Sequence, residues 1–378
     1  MKILLIAPVG FATSNENPNA IHGGYGNCSI GILRVLLGLK NEKIIDDVQV
    51  VDTASKNIQI PLDDDFDIAI LNYPPSVFST NPQVANSLKV ILSKAKRKYY
   101  HIVWETEPLP RSFVSIFNND FFDGFLAPSY WGIEQIKKET KKEVFYFPHF
   151  IDEKDWSLAD MSIKEKEKIF TVLFIGQNTI RKGINDAVVS FARALGDKKD
   201  CQLLLKLTKA SQLEIPIANN IHSLLHLNQT NKKAKIDYID ANISNEEIGE
   251  LYDLSSLLLF CSRSEGFGMP AAEAMLQGLP VLYTNFSSLP DVCKSKVNIG
   301  VSATVDEAYG MITYGYEKGT HYGIPRISEL MNALEFYYSK WKEDKKLYYE
   351  AASINRQIII DRFSYEIIKN YYKKLLFG

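Results

Sequence analysis

Two carboxylates, Glu265 and Glu273, fall in the segment Ser262-Arg263-Ser264-Glu265-Gly266-Phe267-Gly268-Met269-Pro270-Ala271-Ala272-Glu273. The apolar run Leu257–Cys261 ahead of them reads as a buried strand, and it stops at the glycine-rich turn Glu265-Gly266-Phe267-Gly268. Pro270 suits the first position of a helix, where its missing N–H costs nothing. Ala271, Ala272, Ala274, Met275 and Leu276 propagate that helix, Gly278 ends it, and Pro280-Val281-Leu282 opens another strand. Strand, turn, helix and strand place helix-start amides at the mouth of a parallel sheet, where an anion is favoured. Both carboxylates can face that mouth. Amides for a diphosphate, flanked by carboxylates for hydroxyl groups, make chemistry suited to a nucleotide sugar.

The segment resembles the Glu-x7-Glu signature of family-4 glycosyltransferases, retaining enzymes of the GT-B fold. The match runs through the Glu-Gly-Phe-Gly-x-Pro core, the downstream Glu273 and the exit Gly278-Leu279-Pro280-Val281. The resemblance implies that Glu265 touches the donor sugar and Glu273 the nucleotide ribose, with Gly266, Phe267 and Gly268 lining the same site. Ile175-Gly176-Gln177-Asn178-Thr179-Ile180-Arg181-Lys182-Gly183 resembles the family element whose basic residues bind the donor diphosphate. Lys182 matches it, but Gln177 stands where arginine is common, and an amide cannot supply a guanidinium's charge-assisted contact. Either Arg181 or a second basic residue, for which Lys206 is the candidate, compensates, or the site is weakened. Lys206 interrupts the apolar strand Leu203–Leu207, where a charge is costly unless it reaches an anion, a cleft or solvent.

In the first half, Gly23 and Gly24 precede a helix near Asn27, and glycines there let backbone amides approach a phosphate or acceptor. Family-4 enzymes often carry such a loop. Trp104-Glu105-Thr106-Glu107 ends a strand, at the edge where ligands of open α/β sheets bind. It resembles a Trp-Glu-Thr segment of some family-4 members, which makes Glu105 and Thr106 acceptor-side candidates. Phe147-Pro148-His149-Phe150-Ile151-Asp152 resembles the stretch that closes the family's first domain, with Phe150 in place of glycine and His149 read as structural. Ser244 and Glu247 are spaced as a capping box.

These residues need scaffolds, and short apolar runs alternating with helical patterns supply them. Strands are predicted at Ile3–Ala7, Val48–Val51, Ile68–Leu71, Tyr100–Trp104, Gly124–Ala127 and Val144–Phe147. A second series follows at Val172–Ile175, Leu203–Leu207, Ile236–Ile239, Leu257–Cys261 and Val281–Tyr283, and from Ile327 the pattern is helical. Residues 152–168 read as a charged linker. The expectation is α/β, GT-B: two Rossmann-like parallel-sheet domains facing a central cleft. Residues 1–155 form the acceptor side and 165–360 the nucleotide-sugar side, and the resemblance implies that helix 361–378 crosses back to the first domain.

The chain has 378 residues, 46% hydrophobic and 23% charged, the balance of a globular protein. A net charge of −2 argues against nucleic acid as partner. Scattered Cys28, Cys201, Cys261 and Cys293 form no metal-ligand spacing and suit a reducing, cytoplasmic compartment. The basic runs Lys94–Lys98 and Lys137–Lys142 read as solvated helix faces or, more sharply, as a peripheral contact with anionic lipid. The expected activity is retaining transfer of a sugar from a UDP- or GDP-sugar to a saccharide, lipid-linked or other hydroxyl acceptor, without metal or other cofactor. Glu265, Lys182 and Lys206 would be its catalytic residues. Two alternatives stand beside it: an inactive nucleotide-sugar binder, suggested by Gln177 and Phe150, and a dinucleotide-dependent oxidoreductase, suggested by Gly24-x-Gly26 and Asp52.

Overall fold

Strands buried on both faces need continuous apolar stretches, and such stretches form the centre of each of two parallel sheets. The computed structural model describes residues 1–10, 24–54, 65–158, 160–208, 223, 233–308 and 316–378. The chain divides into two compact units. One comprises Met1–Ile151, Glu307–His321 and Arg362–Gly378, the other Asp152–Asp306 and Tyr322–Asp361.

The first unit holds β1 (Lys2–Ala7), β2 (Asp47–Asp52), β3 (Phe66–Asn72), β4 (Ala95–His101), β5 (Gly124–Ala127) and β6 (Glu143–Tyr146), in the order β2-β1-β3-β4-β5-β6. Every adjacent pair is parallel. β4 begins five residues before the predicted Tyr100, because its first half is the basic run. That run is therefore a strand and not a helix face. Its charges are engaged within the fold: Lys96 pairs with Asp67 at 3.0 Å, Lys98 with Asp123 at 3.7 Å, and Arg97 donates to the Leu376 carbonyl at 2.8 Å. In the second run Lys142 donates to the Phe122 carbonyl at 2.6 Å, while Lys137 and Lys141 stay exposed. The last helix, Tyr365–Phe377, packs in this unit by an apolar stripe of Ile368, Tyr372, Leu375 and Leu376. Tyr372 stacks on Phe147 with ring centroids 4.2 Å apart.

The second unit orders β7 (Phe170–Gln177), β8 (Cys201–Thr208), β9 (Lys235–Asp240), β10 (Leu257–Phe260), β11 (Val281–Thr284) and β12 (Ile299–Val301) as β12-β11-β10-β7-β8-β9, again all parallel. Its core joins Phe170, Val172, Leu203, Leu257 and Leu282 to the helix Ile327–Glu343. That helix turns Leu330, Ala333, Leu334, Tyr337 and Trp341 inward, the three-to-four spacing of one buried face. β12 and the two-stranded ladder of β13 (Ala303–Glu307) and β14 (His321–Pro325) lie outside the predicted strands. The predicted linker is partly structured. Lys164, in the short helix Met161–Lys164, is buried, pairs with Glu167 at 3.0 Å and faces the Tyr349 ring at 5.1 Å.

Candidate functional site

β7 and β10 are neighbours in the second sheet, so the turns that follow them meet at its carboxyl edge. After β7 the chain makes a 3-10 turn, Ile180–Lys182, and Gly183 then adopts φ +74° before the helix Ile184–Leu195. A side chain at Gly183 would put its Cβ 2.3 Å from the Cys261 carbonyl oxygen, so glycine is needed for conformation and for space. Gly176 leaves room beside the stem of Lys182, whose carbons lie 3.3 Å from where a Cβ would stand. These two glycines let the basic turn rest on the loop after β10.

The resulting contacts centre on Glu265. Its Oε1 lies 2.5 Å from Lys182 Nζ and 3.2 Å from Arg181 NH1, and it accepts from Ser262 Oγ at 2.7 Å. Arg181 NH1 also donates to the Ser264 carbonyl at 2.8 Å. Burial alone would raise the Glu265 carboxyl, but Lys182 and then Arg181 hold it down at about 2. The backbone is fixed as well: Glu265 N donates to Ser287 Oγ at 2.9 Å, and Ser288 Oγ donates to the Glu265 and Phe267 carbonyls at 2.8 and 3.0 Å. Ser287 adopts φ +54°, a conformation costing a non-glycine residue about 1–3 kcal/mol. Gly268, at φ +96°, is the N-cap of the helix Met269–Leu276, so Met269 opens that helix and Pro270 takes its second position.

Glu273 occupies a different environment. It is 9% exposed, and its Oε2 lies 3.1 Å from the Tyr252 hydroxyl. Burial, partly offset by that hydrogen bond and reinforced by Asp155, pushes its carboxyl up to about 7. The two glutamates therefore differ in charge near neutrality, one held ionised by cations and the other half-protonated.

Arg263 and Asp186 are members of this assembly that sequence reasoning missed. Arg263 Nε and NH2 donate to Asp186 Oδ2 at 3.1 and 3.0 Å, and NH1 donates to the Tyr322 hydroxyl at 3.1 Å. Asp186 sits in the first turn after Gly183, so the pair ties the Lys182 turn to the Glu265 loop a second time. Acidic residues three and four positions past a Lys-Gly are common on solvated helices, so spacing alone gave no signal.

Lys206 is buried in β8, between Ile175 of β7 and Ile239 of β9 in register. Burial lowers its ammonium, with Asp240 opposing, and Nζ donates to the Leu207 carbonyl at 3.0 Å. Among the described residues it shares no hydrogen bond with the Glu265 group. Gln177 ends β7, and its carbonyl accepts from Thr179 N at 2.8 Å.

In the first unit, Gly24 is exposed at the start of the helix Gly24–Asn41, and Gly23 lies outside the described residues. Thr106 is fully buried and its Oγ1 accepts from Trp104 Nε1 at 2.8 Å, so it holds the loop. Glu105 is half-buried and accepts from the Tyr316 hydroxyl at 3.1 Å. His149 is buried with its ring 5.7 Å from that of His101, and burial lowers its imidazole to about 3.

Two parallel six-stranded sheets of this kind occur together in solved structures. HepE of Anabaena, solved with UDP and glucose, superposes with a TM-score of 0.65 at 16% identity, over 100% of this chain and 99% of its own. WaaG, a glycosyltransferase involved in lipopolysaccharide biosynthesis, superposes at 0.63 and 13% identity over the whole of both chains. The fold is GT-B. Within this GT-B chain, residues 158–309 match the family model described as glycosyl transferases group 1, a span that contains Lys182, Glu265 and Glu273. The serotype-specific mannosyltransferase WbdA of Escherichia coli is 29% identical over 122 residues, 32% of this chain. The match spans only 14% of WbdA's own length. A putative glycosyltransferase of Acidianus filamentous virus 2 is 22% identical over 251 residues, 65% of this chain and 70% of its own.

Proposed function

We propose that this protein is a retaining family-4 glycosyltransferase that moves a sugar from a UDP- or GDP-sugar to a saccharide, lipid-linked or other hydroxyl acceptor. The observation that carries the reading is the Lys182–Glu265–Arg181 group at the shared carboxyl edge of β7 and β10, beside the helix that begins after Gly268. As the anomeric bond breaks, the departing diphosphate gains charge. Lys182 and the helix start would stabilise that charge, the largest contribution such a site makes to rate. Glu265, kept ionised by its cations, accepts hydrogen bonds from sugar hydroxyls and takes no covalent step. Glu273 accepts from the ribose hydroxyls. Arg181, held against Ser264 and Glu265, supports the carboxylate, and Lys206 would compensate for Gln177 on the diphosphate. Glu105 faces the acceptor. These side chains supply the charge stabilisation without a metal.

The mannosyltransferase likeness and the UDP-bound structural relatives make GDP-mannose and UDP-glucose the first donors to try. The test is titration calorimetry with UDP, GDP and NAD, followed by donor hydrolysis and transfer assays. Binding of NAD alone would overturn the reading in favour of an oxidoreductase. Nucleotide binding with neither hydrolysis nor transfer would favour an inactive binder, to which Gln177 points. No described helix is long and apolar enough to cross a membrane. Lys137 and Lys141 leave a peripheral contact with anionic lipid open to a vesicle-flotation test.

A further inference from the structure

The chain leaves the second unit at Asp306 and rejoins it at Tyr322, and the residues between them belong to the first unit. The contacts of Tyr316, Glu317 and His321 converge on the loop that carries Glu105. His321 and Glu107 exchange both backbone hydrogen bonds, at 2.7 and 3.1 Å. Tyr316 is 4% exposed, lies with its ring 5.0 Å from that of Trp104, and donates its hydroxyl to Glu105 Oε2 at 3.1 Å. The Glu317 carboxylate accepts from the amides of Arg111 and Ser112 at 2.8 and 3.1 Å. Those amides begin the helix Arg111–Phe117, whose own N-cap residue, Pro110, has no side chain that can cap it. The base of the excursion is closed by Ala308 N to the Thr320 carbonyl at 2.8 Å and by Gly319 N to Glu307 Oε1 at 2.9 Å.

The Trp104–Pro110 loop contains two prolines, which contribute no backbone donors. Partners for the Glu105 carboxylate and the Glu107 backbone come from a segment some two hundred residues away, a separation of 211 for Tyr316 and Glu105. The apolar contact with Trp104, the cap from Glu317 and the phenol on Glu105 all act on the same short loop. A carboxylate that accepts one fixed phenol is restricted in rotamer, and a fixed orientation is what hydrogen bonding to a particular substrate hydroxyl requires.

We infer that Tyr316–His321 form a strap that sets the Glu105 carboxylate for a polyhydroxylated acceptor, with Tyr316 as its positioning residue and Glu317 as the anchor of the loop's far end. The inference rests on the transferase reading and on Glu105 meeting the acceptor. It assigns acceptor recognition in the first unit to side chains that the chain supplies from its second half.

The test compares wild type with Tyr316→Phe, which keeps the ring on Trp104 and removes only the hydroxyl, and with Glu317→Gln. Transfer from UDP-glucose and GDP-mannose is measured to methyl α-glucoside and methyl α-mannoside, alongside UDP and GDP binding. Tyr316→Phe should raise acceptor KM about three- to tenfold, the worth of one ordinary hydrogen bond, with kcat and nucleotide affinity near wild type. Glu317→Gln should speed amide hydrogen exchange in the peptide covering residues 104–117, a readout independent of activity. Normal nucleotide binding with an unmoved acceptor KM in Tyr316→Phe overturns the strap alone, as does unchanged exchange in Glu317→Gln. Failure of wild type to bind either nucleotide overturns the transferase reading and the acceptor role with it.

Discussion

Replacing Glu273 by glutamine should stabilise the protein and weaken its hold on nucleotide, and pH should separate the two effects. The carboxyl moves from an ordinary 4.5 to about 7 on folding, chiefly through burial. Between those values the folded protein retains a proton that the unfolded chain has released. Stability contributed by this group therefore falls as pH rises through the window and is level on either side of it. At about 1.4 kcal/mol per pH unit, keeping Glu273 in the fold costs roughly 3 kcal/mol above pH 7. Glutamine removes that cost while retaining an oxygen for the Tyr252 hydroxyl, now 3.1 Å from Oε2. A domain the size of the second unit shifts about 2–4 °C in Tm per kcal/mol, so the variant should melt roughly 6–12 °C above wild type at about pH 8. Near pH 5 the difference should shrink to about 2–3 °C.

Binding should move in the opposite direction. Only the ionised carboxylate accepts from two ribose hydroxyls, so wild-type affinity for a nucleotide sugar should climb as pH passes 7. The variant should show a flat profile and a loss of about 1–3 kcal/mol. UDP-glucose and GDP-mannose are the right probes, because a diphosphate esterified at both ends does not itself titrate there. Calorimetric scans and titrations of both proteins across about pH 5 to 8 would check this. A Tm difference independent of pH would refute the assignment of the burden to Glu273, and equal affinities would refute its contact with ribose.

Lys182→Ala leaves Glu265 buried with one fewer cation; stability should drop by about 3–5 kcal/mol in denaturant titrations, and turnover should fall about 100-fold or more. Lys206→Met removes a desolvated ammonium hydrogen-bonded to the Leu207 carbonyl, so the melting temperature should hold or rise while donor turnover falls; full turnover would show that the diphosphate is held elsewhere. Gly183→Ala meets both φ +74° and the Cys261 carbonyl, and should cost more than about 1–3 kcal/mol of stability. Because Glu265 is held at about 2, its stabilisation should be complete above its ordinary 4.5 and be lost as pH falls towards 2, and acid unfolding of Glu265→Gln should lack that step.

The two sheets were legible because strands buried on both faces announce themselves as continuous apolar runs, from Ile3–Ala7 to Val281–Thr284. β4 was misplaced because Lys96, Arg97 and Lys98 belong to its exposed beginning, where carboxylates and a helix-end carbonyl receive them. Neighbours that neutralise a charged strand end come from other segments, and periodicity cannot see them. The short strands β12, β13 and β14 carry too few apolar residues to register, and β13 and β14 flank the excursion 307–321. Nothing in that stretch of sequence says that Tyr316 and Glu317 serve a loop beginning at Trp104.

The candidate site shows the same boundary more sharply. Glu265 and Glu273 were visible as chemistry because the turn and helix around them are local. Their charge states were not visible, since two glutamates eight positions apart carry the same intrinsic acidity. Glu265 is held ionised by Lys182 and Arg181, eighty-odd residues upstream, which reach it only because Gly183 lets the chain turn against Cys261. Glu273 is held near neutrality by burial with Tyr252 as partner. Environment, assembled from distant segments, thus keeps one carboxylate ionised near neutrality and makes the other respond to pH. The pH dependence of nucleotide affinity should accordingly follow Glu273 alone, and a second titration in Glu273→Gln between about pH 5 and 8 would place a further ionisable group in the site.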